Sequence, residues 1–259
     1  MKKVLIMVRK DGCSGISYIG QTHILTGSEA LAKDVDVAAR AIREKGFAPA
    51  FSNLFASRYE KRSADFVEFL QDEVEELKIG EIEGKLSEIA AVVLLGSVAK
   101  QQTLNAFACG TNNHLAWRDY LINGESKGEI GMYKTYFWNK GVPIVVVSGD
   151  FAACEEAKQE IAGVETAVTK QAKWRNVAEC LPVEKARENI YNAILSALDK
   201  LDTFTTKEIP MPIKVEIEFS RTDFCDDCIR HNNYLVDRIS DRRTSKTIEK
   251  LTSVGQLIY

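Results

Sequence analysis

The stretch "GVPIVVVSGDFAACEEAKQEIAG", residues 141–163, decides the fold class of this chain. Its run from Val142 to Val147 is apolar and rich in β-branched residues, which is typical of a strand covered on both faces. Asp150 then stands in the position of a helix N-cap, and the helix is expected to continue to Ile161. A buried strand that leads directly into a helix is the repeating unit of a parallel α/β sheet.

The same patterns recur on both sides of this stretch. Buried strands are predicted from Val4 to Val8 and from Ala90 to Leu95. A strand with one solvent-exposed face is predicted from Lys214 to Phe219. Helices are predicted from Ser28 to Ile42, over residues 62–78, from Glu129 to Lys140 and from Val183 to Leu201, and Asn123-Gly124 predicts a hairpin. The sequence therefore predicts an α/β fold: a layered α/β/α sheet domain over residues 1–205, with a small C-terminal strand and helix lobe over residues 206–259.

Composition limits the partners of the chain. Its 34 basic and 37 acidic residues give a net charge of −3, which excludes the basic footprint expected for nucleic acid or an anionic membrane. The apolar run after Lys2 and Lys3 is too short for a signal peptide or a membrane span, and six scattered cysteines do not form a disulfide framework. We therefore expect a cytoplasmic protein with a small, roughly neutral ligand.

Polar residues follow several predicted strands, where α/β folds usually place their chemistry. The first such segment, Arg9 to Gly15, lacks both glycine-rich phosphate-binding patterns, and Ser14 does not lie in G-x-S-x-G. A nucleotide loop and a nucleophile elbow are therefore disfavoured. A tight glycine turn remains the structural alternative.

A long polar loop follows the strand that ends near Leu95. Within it, Cys109 is a candidate nucleophile and His114 its candidate base. In the structural alternative, Cys109 is a small buried apolar residue and His114 caps the next element. Glu129 begins a predicted helix, whose positive end would stabilise the ionised carboxylate.

The pair Cys225 and Cys228, with His231 nearby, suggests a zinc site. A structural zinc needs four ligands, and no second C-x-x-C or H-x-x-x-H lies close in the sequence. If the segment is helical, the two thiols only share one face. We therefore favour the structural interpretation.

Five motifs, in this order, resemble the bacterial D-aminopeptidase family of zinc metallopeptidases over about residues 4–224: "DGCSGI", "NGESKGEIGMY", "GVPIVVVSGDFAACEEAKQEIAGVETAVTKQA", "LPVEKARENI" and "VEIEFSRTD". The resemblance implies an α/β fold of the D-aminopeptidase type. It also implies a homo-oligomer of pentamer rings that stack as decamers, and hydrolysis of N-terminal D-amino acids from short peptides.

The metal ligands implied by the resemblance are mostly replaced. Arg9 stands where the family has an aspartate ligand, and Asp11 shortens a glutamate ligand. Ala56 and Val98 stand at two histidine positions, and the catalytic histidine aligns with the segment 109–111, which has no histidine. Among these positions, Glu129 keeps the residue of the family.

These replacements lead to a prediction about the site. We expect Asp11 and Glu129 to converge on the guanidinium of Arg9, whose charge would partly replace that of the metal. No cofactor and no metal are then expected, and the zinc mechanism would be absent. A rearranged single-metal site that uses His23 or His114 is the alternative.

Three functions remain open from the sequence, and whether the chain is an enzyme is left undecided. The first is a peptide or amide hydrolase of short peptides or amino-acid amides with an altered site. The second is a non-catalytic, ring-forming family member that binds a peptide or amino acid or partners an active paralogue, and the third is a metal-independent, non-hydrolytic enzyme on an amino-acid-like substrate. The candidate catalytic residues are Glu129, Asp11 and Cys109, and the candidate substrate-binding residues are Arg9, Thr111, Asn112, Asn113 and His114.

Overall fold

The computed structural model describes residues 1–53, 65–232 and 235–258. The strands in these ranges are β1 (Lys3–Val8), β2 (Ala48–Ser52), β3 (Glu75–Glu76), β4 (Ile89–Ser97), β5 (Trp117–Ile122), β6 (Glu125–Ser126), β7 (Ile144–Asp150), β8 (Glu165–Trp174), β9 (Val177–Cys180), β10 (Ile213–Phe219), β11 (Asp237–Arg238) and β12 (Arg243–Ile248). The α-helices are α1 (Leu25–Glu44), α2 (Ile82–Lys85), α3 (Glu129–Trp138), α4 (Phe151–Glu160), α5 (Val183–Asp199) and α6 (Thr222–His231). Within the described ranges, no helix has both the length and the hydropathy that a membrane span requires.

The main sheet has the strand order β3-β2-β1-β4-β7-β8-β9. Its neighbouring strands are parallel, except that β9 runs antiparallel to β8. The strands predicted from Val4 to Val8, Ala90 to Leu95 and Val142 to Val147 are confirmed as β1, β4 and β7. Asp150 caps α4 as predicted, because its side chain accepts a hydrogen bond from the backbone N–H of Ala153.

The two faces of the main sheet bury different residues of the same strands, because alternate side chains point to opposite faces. In β1, Val4, Ile6 and Val8 pack into the core formed with α1 and α5. Leu5 and Met7 lie in the other core, which also contains apolar residues of α3, α4 and the second sheet. The mixed, layered α/β architecture predicted from the sequence is therefore present.

The second sheet is antiparallel, with the strand order β11-β12-β10-β5-β6. Asn123 and Gly124, with φ of 51° and 82°, form the predicted hairpin turn between β5 and β6. In the middle of this sheet, β10 pairs with β12 on one side and with β5 on the other. Residues 206–259 thus share a sheet with residues 117–126.

The helix predicted over residues 62–78 is largely wrong. Residues 54–64 lie outside the described ranges, Asp65–Phe69 form a single 3-10 helix, and Glu75–Glu76 form the edge strand β3. The carboxylate of Asp36 on α1 accepts hydrogen bonds from the backbone N–H groups of Gln71 and Asp72. These tertiary bonds replace the helical ones, so the chain turns toward the sheet.

Candidate functional site

The candidate site lies where β1 and β4 end beside each other. The backbone N–H of Arg9 donates to the carbonyl of Leu95 at 2.9 Å, and that of Gly12 donates to the carbonyl of Gly96 at 2.9 Å. Gly96 has φ of 77°, and a Cβ at this position would overlap the carbonyl oxygen of Arg9. A glycine at this point of β4 is therefore what lets the segment 9–12 approach so closely.

Arg9 joins the two carboxylates that the sequence analysis placed with it. Its Nε donates to Asp11 Oδ2 at 2.7 Å, and its Nη1 donates to Glu129 Oε1. The backbone N–H of Asn112 donates to the same Glu129 oxygen at 2.9 Å. The side chains of Arg9, Asp11 and Glu129 are 14%, 19% and 6% exposed, so the cluster is largely shielded from water.

Burial and charge act in opposite directions on this cluster. Burial by itself would lower the pKa of Arg9, but the charges of Glu129 and Asp11 outweigh it and raise that pKa. Burial would raise the pKa of Asp11, but the charge and hydrogen bond of Arg9 leave it below the ordinary range. At neutral pH, Arg9 and Asp11 therefore form a charged pair.

Two buried charged side chains form hydrogen bonds with the backbone of residues 9–15, the turn that follows β1. Lys170 on β8 is fully buried, donates from Nζ to the carbonyl of Asp11 at 2.9 Å, and lies 4.8 Å from the centroid of the Phe107 ring. Asp34 on α1 accepts a hydrogen bond from the backbone N–H of Ser14 at 2.8 Å. Neither residue is predicted from the sequence as part of the site, because neither follows a strand and each interrupts an otherwise apolar face.

Thr111 and Asn112, in the part of the long loop next to Glu129, each carry a buried polar atom without a hydrogen-bond partner among the described residues. Thr111 is 1% exposed, and among the described residues neither its Oγ1 nor Asn112 Nδ2 has a hydrogen-bond partner. Asn112 has φ of 52°, a conformation that asparagine tolerates better than most residues. A buried polar group without a partner is costly, so these two atoms are candidates for binding a ligand.

Asn113 and His114 lie in the next turn of the loop. Asn113 Oδ1 accepts hydrogen bonds from the backbone N–H groups of Leu115 and Ala116 at 3.3 and 3.2 Å, which shapes the chain before β5. Burial lowers the pKa of His114, and the charges of Arg175 and Arg9 lower it further. His114 is therefore neutral at pH 7, the form in which an imidazole accepts a proton.

The thiols named in the sequence analysis occupy different parts of the fold. Cys109 is 7% exposed within the core that includes the second sheet, and its carbonyl accepts a hydrogen bond from Arg175 Nη2 at 3.0 Å. Cys225 and Cys228 lie on α6, as the structural interpretation expects, and neither forms a disulfide within the described part of the chain. His231 contacts the Asp227 carbonyl of its own helix through Nδ1, at 2.7 Å.

This chain is similar to known D-aminopeptidases both in sequence and in structure. The "D-aminopeptidase" of Bacillus subtilis (strain 168) is 32% identical over 106 residues, a segment that makes up 40% of this chain and 38% of that protein. A solved structure, "Zn-dependent D-aminopeptidase DppA from Bacillus subtilis, a self-compartmentalizing protease", matches with a TM-score of 0.86 and 18% identity, covering 99% of this chain and 95% of that one. The second match confirms the predicted α/β fold of the D-aminopeptidase type.

The prediction of a zinc-free protein is contradicted by this comparison, because the structural neighbour is zinc-dependent. The replacement of single ligand positions does not exclude zinc, because a zinc site needs only three or four donors, which any nearby element can supply. The donors present in the described part of the chain do not fit a paired zinc site. Within residues 1–53, 65–232 and 235–258, no three His, Cys, Asp or Glu side chains are grouped to hold a metal ion, and Arg9 bridges Asp11 and Glu129. The position of Ala56 lies outside these ranges.

A model of the D-aminopeptidase family matches residues 73–258, which is well over half of the chain. The match includes β4, the loop that carries Thr111 and Asn112, and the helix that begins with Glu129. It also includes β10, the strand that joins the C-terminal segment to the second sheet. The chain belongs to the D-aminopeptidase family.

Proposed function

We propose that this protein is a hydrolase that releases N-terminal D-amino acids from short peptides or hydrolyses amino-acid amides. The observation that carries the proposal is the family match over residues 73–258, which contain Glu129 and the polar loop. The charged cluster at the ends of β1 and β4 supports it, since parallel α/β sheets place their chemistry at this edge.

The charges of the site suit the ammonium group of a peptide. Asp11 and Glu129 place two carboxylates beside the guanidinium of Arg9, and a carboxylate is the group that forms charge-assisted hydrogen bonds with an ammonium. Thr111 Oγ1 and Asn112 Nδ2 are the donors for a substrate carbonyl. In the proposal the substrate-binding residues are Arg9, Thr111, Asn112, Asn113 and His114.

Hydrolysis of an amide needs a nucleophile, a base and a proton for the leaving amine. In the proposed reaction, Glu129 takes the proton of the attacking water as the new C–O bond forms. It then passes this proton to the nitrogen as the C–N bond breaks. Asp11 holds the substrate ammonium during both steps.

Cys109 is the alternative nucleophile. In that route His114 would take the thiol proton, the thiolate would attack the carbonyl to form a thioester as the proton passes to the leaving amine, and water would then hydrolyse the thioester. Backbone N–H groups of residues 110–113 would stabilise the oxyanion. Iodoacetamide treatment of the folded protein separates the two routes. Loss of turnover on alkylation of Cys109, with protection by substrate, would support the thiol, and unchanged turnover of the alkylated protein would exclude it.

We also place the protein in a homo-oligomer, of pentamer rings or a decamer as the family resemblance implies. The solved neighbour is described as self-compartmentalizing, which supports an assembly of identical chains. Sedimentation-velocity measurements at several protein concentrations give the mass of the assembly. A monomer at all concentrations would contradict this part of the proposal.

The central experiment measures turnover of D-alanyl-D-alanine, D-alanine amide and their L-isomers. Each is assayed on protein as purified, after chelation, and after addition of zinc, with the zinc content determined by elemental analysis. The Glu129→Gln variant tests the base, and Glu125→Gln, on a side chain that is 74% exposed, is the matched control. We expect turnover of the D-substrates that Glu129→Gln lowers by about 100-fold or more and that Glu125→Gln leaves unchanged.

The other outcomes are also informative. If no preparation hydrolyses any of these substrates, while D-alanyl-D-alanine raises the melting temperature, the non-catalytic binding function replaces the proposal. If turnover occurs and Glu129→Gln retains it, the assignment of the base is wrong.

A further inference from the structure

A third carboxyl group, that of Glu156 on α4, lies next to the two segments that carry Asn112 and Glu129. Its Oε2 accepts a hydrogen bond from the backbone N–H of Lys100 at 2.6 Å. Lys100 lies just after β4, where the long loop begins. The preceding residue, Ala99, accepts a hydrogen bond from the backbone N–H of Gly110 at 3.0 Å, so the start of the loop is tied to its far end.

The other oxygen of Glu156 lies against the start of α3. A Cβ placed on Gly128 would be 2.5 Å from Glu156 Oε1 and 2.8 Å from Lys100 Cβ, so these two residues close around the glycine. Gly128 immediately precedes Glu129, the first residue of α3. The carboxyl of Glu156 therefore touches both segments that supply the site, the loop and α3.

The surroundings of Glu156 do little to stabilise an ionised carboxylate at this position. Its Oε1 is buried and has no hydrogen-bond partner among the described residues. The charges that face it are already engaged: Lys100 Nζ donates to the Ser126 carbonyl, Glu160 pairs with Lys127 and Lys134, and Glu129 pairs with Arg9. Burial raises the pKa of Glu156 to about 7, and its one backbone hydrogen bond only partly opposes this.

We infer that Glu156 is a positioning residue of the site, which holds the start of the loop against the start of α3 so that Asn112 meets Glu129. The chain of contacts runs from Glu156 to Lys100, from Ala99 to Gly110, and then to the backbone N–H of Asn112, which donates to Glu129. Its effect on turnover rests on the proposed function. Its effect on the loop does not.

The test uses three variants of the full chain. Glu156→Gln keeps an acceptor for the Lys100 N–H, Glu156→Ala removes it, and Glu155→Gln changes the half-exposed neighbour that pairs with Lys158. Amide hydrogen exchange of residues 99–112 reports on the loop without any substrate. Steady-state kinetics with D-alanyl-D-alanine report on the site.

We expect Glu156→Ala to speed exchange across residues 99–112 and to lower kcat by about tenfold or more with little change in KM, because a shift of about 1 Å in a reacting group costs this much or more. Glu156→Gln should restore both properties to near the wild-type values, and Glu155→Gln should change neither. If Glu156→Ala does not fold, Glu156→Asp, which draws the carboxyl back from Lys100, takes its place.

Unchanged exchange in Glu156→Ala would overturn the inference, as would equal loss of kcat in the Gln and Ala variants. If the wild-type protein hydrolyses none of the substrates, the proposed function fails while the exchange data still decide whether Glu156 positions the loop. The two failures are therefore distinguishable.

Discussion

The guanidinium of Arg9 supplies the positive charge between the carboxylates of Asp11 and Glu129. Methionine has a similar length and no charge, so Arg9→Met leaves both carboxylates in a shielded site. Removing one partner of a buried ion pair costs about 3–5 kcal/mol. We expect the free energy of unfolding, measured by urea denaturation at pH 7, to fall by about 3 kcal/mol for the variant.

The decrease in the free energy of unfolding caused by Arg9→Met should be smaller at acidic pH. Arg9 holds the pKa of Asp11 below its ordinary value of 3.8, so the pair stabilises the fold above that pH and stops doing so as the pH falls through the folded-state value. The matched control is Arg118→Met, since Arg118 is 52% exposed and lies 3.7 Å from Glu218. Equal losses for the two variants at pH 7 would show that the cluster is not a buried ion pair.

Glu156 makes the free energy of unfolding depend on pH with a sign opposite to that of Asp11. Its pKa rises from an ordinary 4.5 to about 7 on folding, so the folded protein prefers the protonated acid. The contribution of Glu156 to the free energy of unfolding therefore falls as the pH rises from about 4.5 to about 7. Glu156→Gln should be more stable than the wild type by about 3 kcal/mol at pH 8 and nearly equal to it at pH 4.5, by thermal or urea unfolding.

Glu155→Gln is the control for this pH dependence, because the carboxylate of Glu155 pairs with Lys158 at the surface. Its stability should follow the wild-type curve at every pH. A stability difference between Glu156→Gln and the wild type that does not vary with pH would show that Glu156 does not change its protonation on folding.

The sequence predicts some residues of the site and misses others for a physical reason. The cluster of Arg9, Asp11 and Glu129 is predicted because the three residues align with ligand positions of the D-aminopeptidase family, and each stands at the end of a strand or the start of a helix. Glu156 and Lys170 lie within regular elements. There a charged residue is normally solvated, and only the packing of other elements shows that these two are buried.

At the scale of elements, the close approach of β1 and β4 depends on Gly96. An alanine at a positive φ costs about 1–2 kcal/mol by itself, and at Gly96 its Cβ would also overlap the Arg9 carbonyl. Gly46, at the end of α1, has the same φ of 77° with no atom within 4 Å of an added Cβ. We expect Gly46→Ala to cost about 1 kcal/mol and Gly96→Ala about 3 kcal/mol or more.

Urea denaturation of both variants measures the two costs. Gly96→Ala should also abolish the turnover of D-substrates, because Arg9 and Asp11 follow directly on the displaced backbone, whereas Gly46→Ala should retain it. Similar stabilities for the two variants would mean that the backbone angle alone matters and that β1 and β4 can separate at little cost.

Elements with strong local signals were predicted well. The buried parallel strands and the helix capped by Asp150 are fixed by apolar runs and a capping side chain. The predicted helix over residues 62–78 failed because hydrogen bonds to Asp36, 35 residues away, replaced those of a helix. Nor could the sequence show that β10 pairs with β5, since about 90 residues of chain separate them.

At the scale of the whole molecule, the C-terminal segment completes a sheet. Residues 206–259 supply β10 and β12, and Tyr120 on β5 donates its hydroxyl to the Leu257 carbonyl at 2.8 Å. A chain that ends at residue 205 leaves β5 paired only with the two-residue strand β6. We expect this truncated chain to lack a cooperative thermal transition and to bind a hydrophobic dye, which circular dichroism and fluorescence would measure.

A truncated chain that melts cooperatively would show that residues 1–205 form an independent domain with residues 206–259 added to it. The full chain, measured in parallel, is the control. Since β5 leads from the long loop toward α3, we also expect the truncation to remove turnover.

The reactivity of the Lys170 amine can report how often the segment that follows β1 moves away from β8. Its amine is fully buried between the carbonyl of Asp11 and the ring of Phe107, so an acylating reagent cannot reach it while the turn stays closed. The rate at which this one amine is labelled, read by mass spectrometry, therefore follows the rate at which the turn beneath the site comes apart. A ligand that binds the cluster of Arg9, Asp11 and Glu129 should slow the labelling of Lys170, whereas the labelling rates of exposed lysines should stay the same.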